Sequence, residues 1–267
     1  MARRVNAIKF WLDDDHGKLP KLSPEIYRAI IDEAHRHNLK AFCHEFSLED
    51  AKQLMRSNLD VLAHSVRDKE IDDDFVRLAI KHHTTMIPTL VGHSSVFTFA
   101  TRPAFLDDRG VALLFSSQSI NAAGGKKTQE ATAKNPNVSI VRREVAIAMK
   151  NVKIADDAGV QIALGTDTGP GTVFSGLADH VEMQMLVESG LTPMRALQIA
   201  TINGARILGV DRDSGSISTG KRADFVVLNA NPLIDIRNTR GIEAVWVSGQ
   251  PIDRAALVTG TATPLSH

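Results

Sequence analysis

Two hydrophobic periods alternate along the chain, and each switch from one to the other marks a new element. Val5 to Leu12 reads as a strand, after which Pro24 opens a helical pattern (Ile26, Ile30, Ile31, Ala34) with Ser23 placed to cap it and His35-Arg36-His37-Asn38 closing it. Lys40 to His44 is the next apolar run, and Ser47 starts a second helix with Asp50 at the capping-box position. Val61 to His64 predicts a third strand, Asp72 to His82 a helix carrying Phe75, Val76, Ala79 and Ile80, and Thr85 to Leu90 a fourth strand.

The beat then breaks. From Val91 to about Val138 short apolar runs mix with Gly, Ser and Thr, which predicts a long insertion with helices around Arg102 to Gln118, the kind of excursion that serves as a lid or binding loop. Ser139 to Ala158 predicts a long helix, Gln161 to Gly165 a fifth strand, and Leu177 to Glu188 and Pro193 to Leu208 two more helices. Strand and helix in alternation predict an α/β fold with a parallel sheet and right-handed crossovers. Past Gly209 the helical pattern ends. Ala223 to Leu228 and Glu243 to Ser248 read as strands of a small β portion, and Thr259 to His267 as a loose tail.

Composition narrows the chemistry. The 267 residues carry 31 Lys+Arg and 31 Asp+Glu, so the net charge is zero with histidine neutral. Interspersed charges without a basic excess argue against nucleic acid and against a polybasic membrane contact, leaving a small-molecule substrate as the expected partner. The apolar run near the N-terminus is short and interrupted by Lys9, which makes neither a signal-peptide core nor a membrane span; the default expectation is a cytoplasmic location, with a signal upstream left open. A single cysteine, Cys43, excludes an intramolecular disulfide; alternation turns it away from His44 toward the helix layer as a structural thiol. At about 250 residues for a complete (β/α)8 barrel, length alone is sufficient for one.

Four polar residues stand at or near the C-terminal ends of predicted strands, where parallel α/β sheets bind ligands: Lys9, His44, His64 and Asp167. Two imidazoles and a carboxylate suit zinc, and also manganese, iron or nickel at sites with open positions. Lys9 as an ammonium would repel such an ion; it must be displaced, deprotonated or converted to a carbamate, whose two oxygens can bridge metals. His93 and His180 fall on the same side and are candidates for substrate contact, although His180-Val-Glu182 also suits helix capping and packing. His35, His37, His82 and His83 end helices, where His⁺ complements the dipole. Nucleotide-binding glycine motifs and the Gly-x-Ser-x-Gly elbow do not occur.

In combination these residues resemble a known group: Lys9, His44 and His64, then Leu-Gly-Thr-Asp167-Thr-Gly, then Glu188-Ser-Gly-Leu-Thr-Pro-Met-Arg-Ala-Leu-Gln-Ile-Ala-Thr-Ile-Asn-Gly-Ala-Arg, then Gly215-Ser-Ile-Ser-Thr-Gly-Lys-Arg-Ala-Asp. From about Val5 to Gly249 the chain resembles the metal-dependent amidohydrolases, in their imidazolonepropionase-like and prolidase-like branch. The resemblance implies a (β/α)8 barrel with a small β-sandwich. It implies further that Lys9 is the carbamylated lysine, that His44 and His64 are metal ligands, and that Asp167 binds metal and serves as catalytic base and acid. The divalent ions, zinc foremost, would be one or two in a complete enzyme, and the substrate a small amide, dipeptide or cyclic amide.

One departure is large. The family's first strand carries a His-x-His pair, and here the spelling occurs only as His35-Arg36-His37, at the end of a predicted helix. By element order the chain begins at the fourth barrel strand, so the expectation is a truncated, partial barrel of about five βα units over residues 1–209, with the insertion at about 91–138. A β-sandwich portion over 210–258 and a tail over 259–267 complete the expected division. Such a chain would hold at most one ion, and its open edges would invite self-association or a partner fragment. The competing reading is a catalytically inactive chain that persists through that association.

Overall fold

In the computed structural model, which describes residues 5–169 and 174–259, the expected alternation is present and its strands lie in sequence order. β1 (Ala7–Leu12), β2 (Lys40–Glu45), β3 (Val61–Leu62) and β4 (Thr85–Met86) form one parallel sheet. Between them run α1 (Pro24–Arg36), α2 (Leu48–Arg56) and α3 (Asp73–Lys81). The local signals work as read: Ser47 Oγ accepts from Asp50 N at 3.3 Å, and the Asp72 carboxylate accepts from Phe75 N at 2.9 Å. Ser23 precedes α1 with no side-chain cap bond, and Pro24 does the work of starting that helix.

The expected fifth strand is reduced to one bridge. Ile162 pairs in parallel with Met86, but Leu164 N turns to the Ile199 carbonyl, and Asn203 Nδ2 donates to the Ile162 carbonyl at 2.7 Å. The segment is thus held on one side by β4 and on the other by a helix. A second difference lies in the insertion. α4 (Leu90–Thr98) begins where the fourth strand was expected to end, and it buries Leu90, Val91 and Ser94. A 3-10 turn (Ala104–Asp107), α5 (Arg109–Leu114), α6 (Ser117–Gly124) and α7 (Lys126–Ala133) follow, so the insertion is helical beyond the expected stretch and closes on its own small core of Phe99, Leu106, Val111 and Ile120.

α8 (Val138–Asp157) and α9 (Leu177–Glu188) match their predicted ranges within a residue. The last predicted helix is α10 (Pro193–Gln198), a π turn (Ile199–Asn203) and α11 (Gly204–Leu208) in succession. The main core lies between the sheet and these helices, with Tyr27, Ile31, Leu54, Phe75, Met86, Ile162 and Leu186 among its fully enclosed side chains. Cys43 is buried there, and burial pushes its thiol up, as befits a structural residue.

The C-terminal portion is a separate antiparallel sheet, β5 (Phe225–Leu228), β6 (Ile242–Val247) and β7 (Gln250–Pro251), in which Phe225 stacks on Trp246 at 5.6 Å. The expectation of no further helix past Gly209 is corrected by a 3-10 turn at Ile236–Arg240 and by α12 (Arg254–Thr259), both too short to show a periodic apolar face. The expected tail beyond Thr259 lies outside the described residues. No helix among the described residues is long and apolar enough to cross a membrane.

Candidate active site

β1 and β2 run side by side with Lys9 opposite Phe42 and Trp11 opposite His44, so these four side chains share one face of the sheet. That face carries a row of histidines. The His44 and His64 rings meet edge-on with centroids 4.3 Å apart, and His93, one residue past Gly92 in α4, meets His64 the same way at 5.1 Å. Trp11 leans on His44 at 4.2 Å, and Lys9 Nζ lies 6.0 Å from the Trp11 ring.

Two of the imidazoles are held by one nitrogen. His44 Nε2 donates to Asp13 Oδ2 at 2.9 Å, and His64 Nδ1 lies 2.6 Å from the Thr89 hydroxyl. Burial, reinforced by the charges of His44, His93, Arg67 and Lys9, drives His64 far below the ordinary imidazole range, and burial with Arg67 and His44 takes His93 down to about 3. Burial also lowers His44, more than its bond to Asp13 raises it. The cluster is therefore neutral near pH 7, the state in which imidazole binds a metal. The Nε2 atoms of His64 and His93 are buried with no hydrogen-bond partner. Such orphans are rare in a folded chain, and a bound ion is one way of satisfying them.

Asp167 arrives from the other side. Its loop rests on α4 so closely that a Cβ added to Gly92 would stand 2.9 Å from the Thr166 carbonyl oxygen and 3.3 Å from Asp167 Cβ. Asp167 adopts φ 49° and Thr89 φ 52°; for a β-branched threonine this conformation is strained, and strain of about 1–3 kcal/mol collects at functional sites. The Asp167 side chain is exposed and close enough to Arg67 to act on its charge.

Of the expected residues, His44, His64 and His93 are brought together, Lys9 shares their face, and Asp167 borders the same turn of α4. His180 is elsewhere engaged, its Nδ1 2.9 Å from the Thr239 hydroxyl in the C-terminal portion. His35 and His37 pair with Asp60 and Glu33 at the opposite end of β2, so the His-x-His spelling there has no part in the cluster. Residues missed in the sequence include Asp13, the strained Thr89, and Arg67, whose guanidinium lies 3.8 Å from Asp13 Oδ2. Glu45 is also new: it is fully buried with both carboxylate oxygens unpartnered, and burial pushes it up to about 8.

As a metal site the set fits in part. A hydrogen on His44 Nε2 leaves Nδ1 as its lone-pair nitrogen, and His64, in the tautomer whose Nδ1–H donates to the Thr89 hydroxyl, would offer the unpartnered Nε2, so that two adjacent rings would present one donor each. Among the described residues, no three His, Cys, Asp or Glu side chains close on a common point.

The profile of the amidohydrolase family matches residues 16–252. Ochratoxinase from Aspergillus niger is 27% identical over 246 residues, 89% of this chain and 43% of that protein. Imidazolonepropionase from Deinococcus deserti is 39% identical over 99 residues, 35% of this chain and 24% of its own length. A crystal structure of a Xaa-Pro dipeptidase with bound methionine in the active site superposes with a TM-score of 0.69 at 22% identity, over 92% of this chain and 54% of that one, a likeness of fold. The chain spans about half, or less, of the length of the relatives it matches.

Proposed function

The chain belongs to the amidohydrolase family, and on that premise we propose that the histidine row is the metal site of a hydrolase acting on C–N bonds of small amides, dipeptides or cyclic amides. What carries this reading is the pair of adjacent neutral imidazoles, His44 and His64, with the Nε2 of His64 buried and unpartnered. The parallel sheet is then an arc of a (β/α) barrel over residues 1–209, and the antiparallel sheet over 210–258 part of a sandwich.

His44, His64 and Lys9, the last as a carbamate, would hold a divalent ion, zinc before others, and at most one on this chain. Such an ion supplies Lewis acidity toward the scissile carbonyl and makes water acidic enough to attack near neutral pH. Asp167 takes the proton from the attacking water and passes it to the leaving nitrogen as the C–N bond breaks and the C–O bond forms. His93 faces the reacting side with a free Nε2 and is assigned to the substrate. The helical insertion, whose Phe99 and Phe105 form an apolar wall beside α4 with Phe174 from the segment before α9, is the element that selects the side chain.

A second reading has its own observation: without a third convergent ligand among the described residues, the chain would be a non-catalytic member of its family. One experiment separates the two. The full chain, exchanged into zinc and dialysed, is expected to retain about one ion and to hydrolyse N-acyl amino acids, and His64→Ala to abolish retention. Zinc retention without turnover supports the second reading. Unchanged metal content in His64→Ala overturns the site.

A further inference from the structure

Asp13 stands at the end of β1, and both its carboxylate oxygens are committed. Oδ1 accepts from Asp15 N at 2.9 Å, and Oδ2 accepts from His44 Nε2 at 2.9 Å. With both oxygens accepting and the Arg67 guanidinium 3.8 Å from Oδ2, the group is an ordinary ionised carboxylate with no proton to give. His44 Nε2 must be the donor. A neutral imidazole carries one N–H, and Nδ1 is then the only nitrogen with a lone pair to offer.

Arg67 makes this arrangement rigid. Its side chain is buried, Nη1 donates to the Glu45 carbonyl at 2.8 Å, and the guanidinium lies over the Phe46 ring at 4.9 Å. Nη2 stands 3.8 Å from the same Asp13 oxygen that faces His44. Trp11 packs against the same ring, tilted by 34° with the centroids 4.2 Å apart. The three groups Arg67, Asp13 and His44 thus form a line from a fixed cation to the first imidazole of the row.

We propose that Asp13, backed by Arg67, is a positioning residue that holds the proton of His44 on Nε2 and so dedicates Nδ1 to the ligand. The inference rests on His44 being a ligand, as read above, but its structural core, the protonation of Nε2 by the Asp13 contact, can be observed with no metal present. A carboxylate that receives the far N–H of a ligand histidine also strengthens the ligand, and its loss typically costs about 10–100-fold in metal affinity.

The test uses the full chain labelled with ¹⁵N-histidine, metal-free, as wild type and as Asp13→Asn, which keeps the shape of the side chain and removes its charge. Wild type should show the His44 proton bonded to Nε2 as one tautomer. In Asp13→Asn, whose amide can either accept from that nitrogen or donate to it, the His44 signals should move toward a mixture while those of His35 and His37 stay in place. Zinc titration should show affinity about tenfold or more weaker in the variant. A wild-type His44 protonated on Nδ1 overturns the proposal, as does a variant with both readouts unchanged. If wild type binds no zinc, the hydrolase reading fails, and the nuclear magnetic resonance measurement still decides the role of Asp13.

Discussion

At the scale of single residues, strand ends disclosed His44 and His64 because a polar residue closing an apolar run is visible locally. Their partners were hidden by distance along the chain: Asp13 meets His44 from 31 residues away, and Thr89 meets His64 from 25 away. Glu45 was hidden for another reason. Sequence marks it as an ordinary acid beside a histidine, and only packing shows that it is fully buried with no donor from the protein. In the folded chain it keeps its proton up to about pH 8, whereas in the unfolded chain it ionises near the ordinary glutamate value of about 4.3. Between those limits the native state binds more protons than the unfolded state, so this group's contribution is complete at low pH and is lost as pH rises. Wild type should therefore lose stability relative to Glu45→Gln from about pH 5 to about pH 8, at up to roughly 1.4 kcal/mol per pH unit. Urea midpoints across that range measure it, and parallel curves for the two proteins would refute it.

At the scale of elements, helices whose start signals are local were legible: Ser47 and Asp72 cap from their own segments, and Thr192 accepts from Arg195 N before α10. α4 has no such signal. Thr89 precedes it without capping it, and the orphan N–H groups are taken by Glu182 from α9, which accepts from Leu90 N at 3.0 Å and Val91 N at 2.7 Å. This explains why the chain past Val91 read as an irregular insertion, and why Glu182, noted for capping, caps a different helix. The same contact fixes the turn that carries Gly92 and His93 against the Asp167 loop. Glu182→Ala strands two buried N–H groups at about 1–3 kcal/mol each, so a loss of about 3–5 kcal/mol in urea unfolding is expected, with Glu182→Gln closer to wild type. A loss below about 1 kcal/mol would show that α4 does not depend on this cap.

At the scale of the whole molecule, the order of strands was readable, but the inequality of its two edges was not, because element order alone leaves both of them open. The Ile162 side is covered, because Asn203 and the Ile199 carbonyl take its polar groups. The β1 side is not: among the described residues no strand pairs with its outer edge. Beside that edge an apolar groove runs between the strand and α1, lined by Ile8, Ile26, Ala29, Ile30, Ala34 and Leu39, and Trp11 and Ile26 are 62% and 50% exposed. An unpaired strand next to an apolar groove is a template for association, and the acidic run Asp13 to Asp15 guards only its end. The chain is therefore expected to self-associate in a concentration-dependent way in sedimentation velocity. Ile26 lies on the helix surface, where substitution alters folding by about 0.5 kcal/mol or less. In an interface, Ile26→Lys would bury an unpaired ammonium at a cost of at least about 3 kcal/mol, which is about a hundredfold in the dissociation constant. The variant should sediment as a monomer at concentrations where wild type does not; a wild type that is already monomeric throughout would mean that Lys9 and the acidic run are enough to protect the edge.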